Sequence, residues 1–255
     1  MKVFVVSANR LIRYLIPILI IATVIVIVFV IGPQVMPVSG QNKELPIYSV
    51  DTGEKKVAIT FDCAWGAKDI PDILTTLKEN NIKATFFVVG KWAEKFPSEV
   101  KAISDDGHDI ANHSDSHARM GLLGRDSIAK ELKQCSEKLE AITKKKVDLF
   151  RPPYGEYNDA VINTAKDLGY YTIQWDVDSL DWKPGIDKNE ILSRVSNKVR
   201  NGSIILFHND TKYTAEILPS IISTLRSKGY SFEPVSKLIY RDNYYIDYDG
   251  RQKRK

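Results

Sequence analysis

From Val57 onward, short runs of β-branched and aromatic residues alternate with longer stretches whose apolar residues recur every three to four positions. No other feature of the sequence narrows the fold as far. The β-rich runs are 57–61, 84–89, 109–111, 147–150, 171–175, 203–207 and, more weakly, 230–232, and helical patterns fall near 69–80, 91–105, 125–143, 157–169, 187–200 and 213–228. Asp126-Ser127 and Asn158-Asp159 mark helix starts, while Gly107, Gly169, Gly202 and Gly229 mark ends. Strands joined through helices run parallel, so the chain reads as α/β, with about seven parallel strands closed or nearly closed into a barrel.

The ends of the chain read differently. Residues 11–31 form an apolar run long enough to cross a bilayer, and Lys2, Arg10 and Arg13 precede or interrupt it with no acid before Glu44. The expectation is a cytoplasmic segment 1–10, one transmembrane signal anchor at 11–31 and an extracellular domain at the cell membrane. Val38-Ser39-Gly40 offers the alternative of signal cleavage and secretion, but the apolar run exceeds the usual length of a signal peptide core. Residues 32–55, with Gly32, Pro33, Pro37, Gly40, Pro46 and Gly53, read as a linker, 56–240 as the domain, and 241–255 as a basic, solvated and frayed tail. The net charge of +4 comes from the two ends, and the near-neutral domain between them excludes a nucleic-acid surface. Two cysteines, Cys63 and Cys135, are too few for a disulfide framework.

Chemically suggestive residues cluster where the expected strands end. Asp62 and Cys63 follow the first strand, His113 and His117 the third, Arg151-Pro152-Pro153-Tyr154-Gly155 the fourth, Asp176 to Trp182 the fifth, and His208 the sixth. In a parallel barrel these positions open on one face, where the connecting loops build active sites. His113 and His117, four apart, suit two ligands of one metal on a helical turn or a tight loop. Asp62 reads either as a third ligand or as a general base. Arg151 beside a carboxylate would orient it and favour its charged form. Trp65 and Trp182 read as sugar-stacking faces or as core packing.

Thr60-Phe61-Asp62, His113-Ser114-x-x-His117, Arg151-Pro152-Pro153-Tyr154-Gly155, Asp178-x-x-Asp181-Trp182 and Leu206-x-His208 together resemble the five motifs of the polysaccharide deacetylases, carbohydrate esterase family 4 or the NodB-homology domain. The resemblance implies a distorted (β/α) barrel that removes N-acetyl groups from amino sugars with a divalent metal, zinc first and cobalt in some relatives. It implies Asp62 as the base that activates water, His113 and His117 as metal ligands, and Arg151 as the residue that orients Asp62. Asp181 would orient His208, which protonates the leaving amine. The backbone N–H near Tyr154 would hold the oxyanion, and Leu206 and Trp182 would line the acetyl pocket.

One departure stands out. The family's first motif carries a second aspartate after the base, as a metal ligand, and this chain has Cys63 there. A thiolate is a sound zinc ligand, and a cysteine pointing into the core is the alternative. The expected function is removal of N-acetyl groups from GlcNAc residues of an extracellular glycan, peptidoglycan first among them. The alternatives are a glycan-binding or wall-assembly protein on the same fold, and a deacetylase of another acetylated carbohydrate.

Overall fold

The computed structural model describes residues 44–255. The expected cytoplasmic segment 1–10, the membrane anchor 11–31 and the first half of the linker lie outside them. Among the described residues no helix is long and apolar enough to cross a membrane.

Parallel pairing runs through seven strands: β2 (Lys56–Cys63), β3 (Thr85–Val88), β4 (Asp109–Asn112), β5 (Leu149–Phe150), β6 (Tyr171–Thr172), β7 (Val177–Asp178) and β8 (Ile204–His208). They lie side by side as β6-β5-β4-β3-β2-β8-β7, a half-barrel with β2 in the middle, and β9 (Ser231–Phe232) pairs with the start of β2. The connecting helices are α1 (Ile70–Glu79), α2 (Gly90–Lys95), α3 (Pro97–Asp105), α4 (Arg125–Thr143), α5 (Asp159–Asp167), α6 (Lys188–Lys198) and α7 (Thr214–Ser227), with a short α8 (Val235–Leu238) after β9. The helical pattern at 91–105 is two helices rather than one. Phe96, with φ −130° and ψ 56°, leaves the helical region because Pro97 crowds the residue before it.

Strand alternation divides the interior into two apolar layers. Ile59, Phe61, Cys63, Phe86, Val88, Ile205 and Phe207 belong to the larger cluster, shared with helix residues such as Ile73, Leu77 and Ile221. Ala58, Phe87, Ala111, Leu149 and Ile204 form the other, joined by Ile47 and Val50. Each fully buried Phe or Ile here contributes roughly 1.5–3 kcal/mol.

Ile47 and Val50 come from the stretch read as linker, so the fold begins earlier than 56. Ile47 bridges to Ile173 and Ser49 to Ser203, which places β1 (Ser49–Val50) against the half-barrel strands. The C-terminal stretch also differs from expectation. β10 (Tyr244–Ile246) and β11 (Arg251–Arg254) form an antiparallel hairpin, and β11 pairs in parallel with β1. The basic residues are accommodated at its surface: Arg251 pairs with Asp51 at 2.9 Å and Lys253 with Asp247 at 2.9 Å. Gln252 turns inward, fully buried, and exchanges hydrogen bonds with both backbone groups of Tyr240.

Candidate active site

Asp62 is the last inward-facing residue of β2 and Thr60 precedes it on the same face. Arg151 follows β5, with its N–H donating to the Asn112 carbonyl at 2.9 Å. Its guanidinium, 0 % exposed, would be costly to bury alone. It donates from Nη1 to Asp62 Oδ1 at 2.6 Å and to Thr60 Oγ1 at 3.0 Å, and from Nη2 to the Gln174 carbonyl at 3.2 Å. Its carbon lies 3.9 Å from the Phe87 ring centroid. Burial by itself pushes the Asp62 carboxyl up, but Arg151, His113 and His208 together outweigh it and hold the group below its ordinary value. Asp62 is therefore a carboxylate kept ionised inside the protein.

The loop after β4 carries the histidine pair. Ser114 (φ 63°) and His117 (φ 58°) have left-handed backbone conformations, so the four-residue spacing sits on a tight loop and not on a helical turn. Backbone of that kind persists only where its surroundings hold it. Asn112 Oδ1 accepts the Ser114 N–H at 2.8 Å, and Glu131 on α4 accepts the Asp115 and Ser116 N–H groups at 2.9 and 2.8 Å. His113 Nδ1 donates to the Arg151 carbonyl at 2.8 Å, which leaves Nε2 3.4 Å from Asp62 Oδ2. The His117 ring lies 5.1 Å from that of His113. Burial lowers both histidines, His117 to about 4, so both imidazoles are neutral near pH 7.

On the other side of Asp62 stands His208, its register partner on β8. Nδ1 of His208 donates to Asp181 Oδ1 at 2.8 Å, and Asp181 Oδ2 accepts the His208 N–H at 2.7 Å and the Thr214 hydroxyl at 2.6 Å. Burial lowers the affinity of His208 for a proton, but the Asp181 bond and charge overcome it and raise the pKa above its ordinary value. The site thus holds an ionised carboxylate beside a histidine whose hold on a proton is strengthened by Asp181, which is the pairing of a base and an acid. Leu206 lies two residues before His208, buried beside Thr60 in register.

Aromatic residues surround the mouth. Tyr154, with φ 61°, packs edge-on against His117 at 4.6 Å, and the Trp65 ring lies 5.6 Å from that of His117. Gly155 has φ +68°, and a Cβ there would come within 2.9 Å of the Trp175 ring, so that turn requires glycine. Trp65 is 65 % exposed, yet its neighbour Gly66 is held from three sides. The Gly66 carbonyl accepts from Trp92 Nε1 at 2.9 Å and from Asn209 Nδ2 at 2.5 Å, and its N–H donates to Asp210 Oδ2 at 2.9 Å. Trp182 is likewise exposed and lines a cleft with Asp181 and His208.

The structure therefore gathers Asp62, His113, His117, Arg151, Asp181, His208, Tyr154, Leu206, Trp65 and Trp182 at one end of the sheet, and does not bring Cys63 to them. Cys63 is fully buried in the helix-side apolar cluster, opposite Asp62, and burial pushes its thiol well above the ordinary value. Its side chain packs among Phe61, Phe86 and Phe207 rather than toward the histidine pair. Thr60, Gln174, Glu131 and Thr214 support the site and carried no signal in the sequence beyond Thr60's place next to Phe61-Asp62. Among the described residues no group of three or more His, Cys, Asp or Glu is arranged to hold an ion. The donors that do suit a borderline divalent ion are the two neutral imidazoles, His113 and His117, with Nδ1 of His113 fixed by a carbonyl in the manner of a ligating histidine.

A family model described as polysaccharide deacetylase matches residues 49–173. The chain is 35% identical over 195 residues to the uncharacterized protein YlxY of Bacillus subtilis, covering 76% of this chain and 60% of YlxY. It is 33% identical to the peptidoglycan-N-acetylmuramic acid deacetylase PdaA of Bacillus subtilis, covering 76% and 74%, and 34% identical to a peptidoglycan-N-acetylglucosamine deacetylase of Bacillus cereus, covering 77% and 72%. Among solved structures, BA3943 of Bacillus anthracis, described as a CE4 family pseudoenzyme, superposes with a TM-score of 0.74 at 35% identity over 82% of this chain and 70% of that one. Sequence, fold and the order of the site residues along the strands agree: the chain belongs to the polysaccharide deacetylases, the NodB-homology hydrolases of carbohydrate esterase family 4.

Proposed function

We propose that this chain removes N-acetyl groups from GlcNAc residues of an extracellular polysaccharide, with peptidoglycan as the polymer. The observation that carries this reading is the register pairing of Asp62 with His208, the first bonded to the Arg151 guanidinium and the second to the Asp181 carboxylate. Asp62 takes a proton from water, and the water oxygen attacks the acetamide carbonyl carbon. The Tyr154 backbone N–H receives the developing oxyanion. His208, with Nδ1 tied to Asp181, gives the proton on Nε2 to the departing amine, and acetate leaves. Leu206 and Trp182 bound the space for the acetyl methyl, and Trp65 offers a face for a sugar ring.

His113 and His117 are the residues that would hold a divalent metal, zinc by the character of the donors, and such an ion polarises a carbonyl as a Lewis acid. The run 11–31 would anchor the domain at the outer face of the cell membrane, or be cleaved to release it.

A second reading, a glycan-binding protein without turnover, is favoured by two observations: the position after Asp62 gives the histidines no third protein ligand, and the BA3943 neighbour is described as a pseudoenzyme. Acetate release from peptidoglycan, chitin oligomers and acetylated xylan, measured together with bound metal, separates the two. Release from at least one polymer supports the first reading, and none from any of them in metal-loaded protein supports the second.

A further inference from the structure

The turn after β5 has few backbone donors, since neither Pro152 nor Pro153 carries an N–H. The Arg151 N–H is taken by Asn112, so the first free donor is Tyr154, whose N–H meets no acceptor among the described residues. Its direction is set by an unusual backbone. Tyr154, at φ 61° and ψ 5°, is followed by Gly155 at φ +68°, and a left-handed tyrosine persists only where its surroundings hold it. Within the turn, the Gly155 N–H donates to the Pro152 carbonyl at 3.2 Å and the Glu156 N–H to the Pro153 carbonyl at 3.1 Å. One bond enters from outside. Gln174, between β6 and β7 and 2 % exposed, donates from Nε2 to the Gly155 carbonyl at 3.1 Å. Among the described residues no other side chain bonds the backbone of 152–156, and the Arg119–Glu156 ion pair at the surface joins side chains alone.

Gln174 is itself fixed on both sides of its backbone. Its N–H donates to the Ile47 carbonyl at 2.7 Å, and its carbonyl accepts Arg151 Nη2 at 3.2 Å. With the backbone so held, the side-chain amide is a rigid post against a glycine that would otherwise turn freely. We propose that Gln174 is a positioning residue for the deacetylation: by holding the Gly155 carbonyl, it keeps the Tyr154 N–H aimed at the developing oxyanion. The use of that N–H rests on the deacetylase reading above; the pinning of the turn does not. One residue thus braces both the arginine that orients the base and the turn that presents the oxyanion donor, and a donor of that kind is effective only when its direction is fixed in advance.

The test uses the full chain with zinc supplied and two variants: Gln174→Met, which keeps the length of the side chain without a donor, and Glu156→Ala, which cuts the ion pair at the surface of the same turn. Gln174→Met is expected to lower kcat for acetate release about ten- to a hundredfold, with KM within about twofold of the parent and bound metal unchanged. Exchange of the Gly155 and Glu156 amides, followed by NMR, should quicken at least about tenfold. Glu156→Ala should keep the parent's kcat and its slow exchange. Unchanged kcat or unchanged exchange in Gln174→Met overturns the proposal, and so does an equal loss in Glu156→Ala, which would place control of the turn at the surface. Faster exchange along β2 as well would mark a general loosening of the fold and overturns it too. Should Gln174→Met not fold, Gln174→Asn, whose amide is one methylene short of the Gly155 carbonyl, takes its place. A parent that releases no acetate rejects the deacetylase reading, and the exchange measurement then decides the pinning of the turn on its own.

Discussion

The two faces of β2 were built from adjacent residues and could hardly differ more. On one, Thr60 and Asp62 meet a buried guanidinium, and a carboxylate is held ionised in the interior. On the other, Phe61 stacks on Phe86 at 4.8 Å, and Cys63 joins the same apolar layer with its thiol protonated. The burial is nearly equal, since Asp62 is 6 % exposed and Cys63 0 %. What separates a reactive group from an inert one here is not depth but whether a fixed charge waits on that side of the strand.

The strongest way to break the contrast is to remove that charge. Arg151→Met should leave Asp62 buried without its partner, costing about 3–5 kcal/mol of stability. Asp62→Asn should lower acetate release by about a hundred- to ten-thousandfold. Urea unfolding and acetate release measure the two, and an Arg151→Met protein as stable as the parent would show that the pair is not what keeps that face polar.

His208 offers a milder test, because its proton depends on Asp181. A raised folded pKa means that the His208 contribution to stability is complete below the unfolded value near 6.5 and is lost as pH rises through the folded pKa. The protonated acid should persist over the same range, so activity falls on the basic side. Asp181→Asn should move that fall to lower pH in a pH–rate profile, and an unmoved basic limb would detach Asp181 from the acid.

His108 is a buried histidine without any carboxylate bonded to it, and it behaves in the opposite sense. Its Nδ1 accepts the Ala84 N–H at 3.0 Å, and burial lowers it to about 4. Stability should therefore fall as pH drops from about 6.5 toward 4, by on the order of 2–3 kcal/mol from this group. Unfolding curves across that range, compared with those of His108→Phe, measure it; an identical acid slope in the variant would assign the loss elsewhere. The smallest effect belongs to Cys63→Ala, which should cost about 1–2 kcal/mol through lost packing and leave bound metal unchanged, read by metal analysis of the purified protein. A drop in metal content would return Cys63 to the site.

The parallel sheet was legible because its strands are apolar runs separated by helices, and the site was legible because its residues fall where those runs end. Three things were not. The direction of Cys63 depends on which of two adjacent side chains finds a partner, and Arg151 lies far along the chain. The histidine loop takes its shape from Glu131, an acid on α4 with nothing in its local sequence to mark it. The C-terminal hairpin hides behind Arg251, Lys253 and Arg254, whose charge reads as solvent although β11 is the middle strand of its sheet and turns Gln252 inward between Arg251 and Lys253.

The hairpin has one more consequence. Tyr48 and Asp51 donate to Gly250 and Gln252 at 2.9 and 2.8 Å, Val50 donates to Gly202, and Gln174 donates to Ile47. A pull entering the domain through Glu44 would load these bonds, spread over three separate parts of the chain, before it reached β2. Tension along the chain would be shed at the margin, and the strand that carries Asp62 would stay slack.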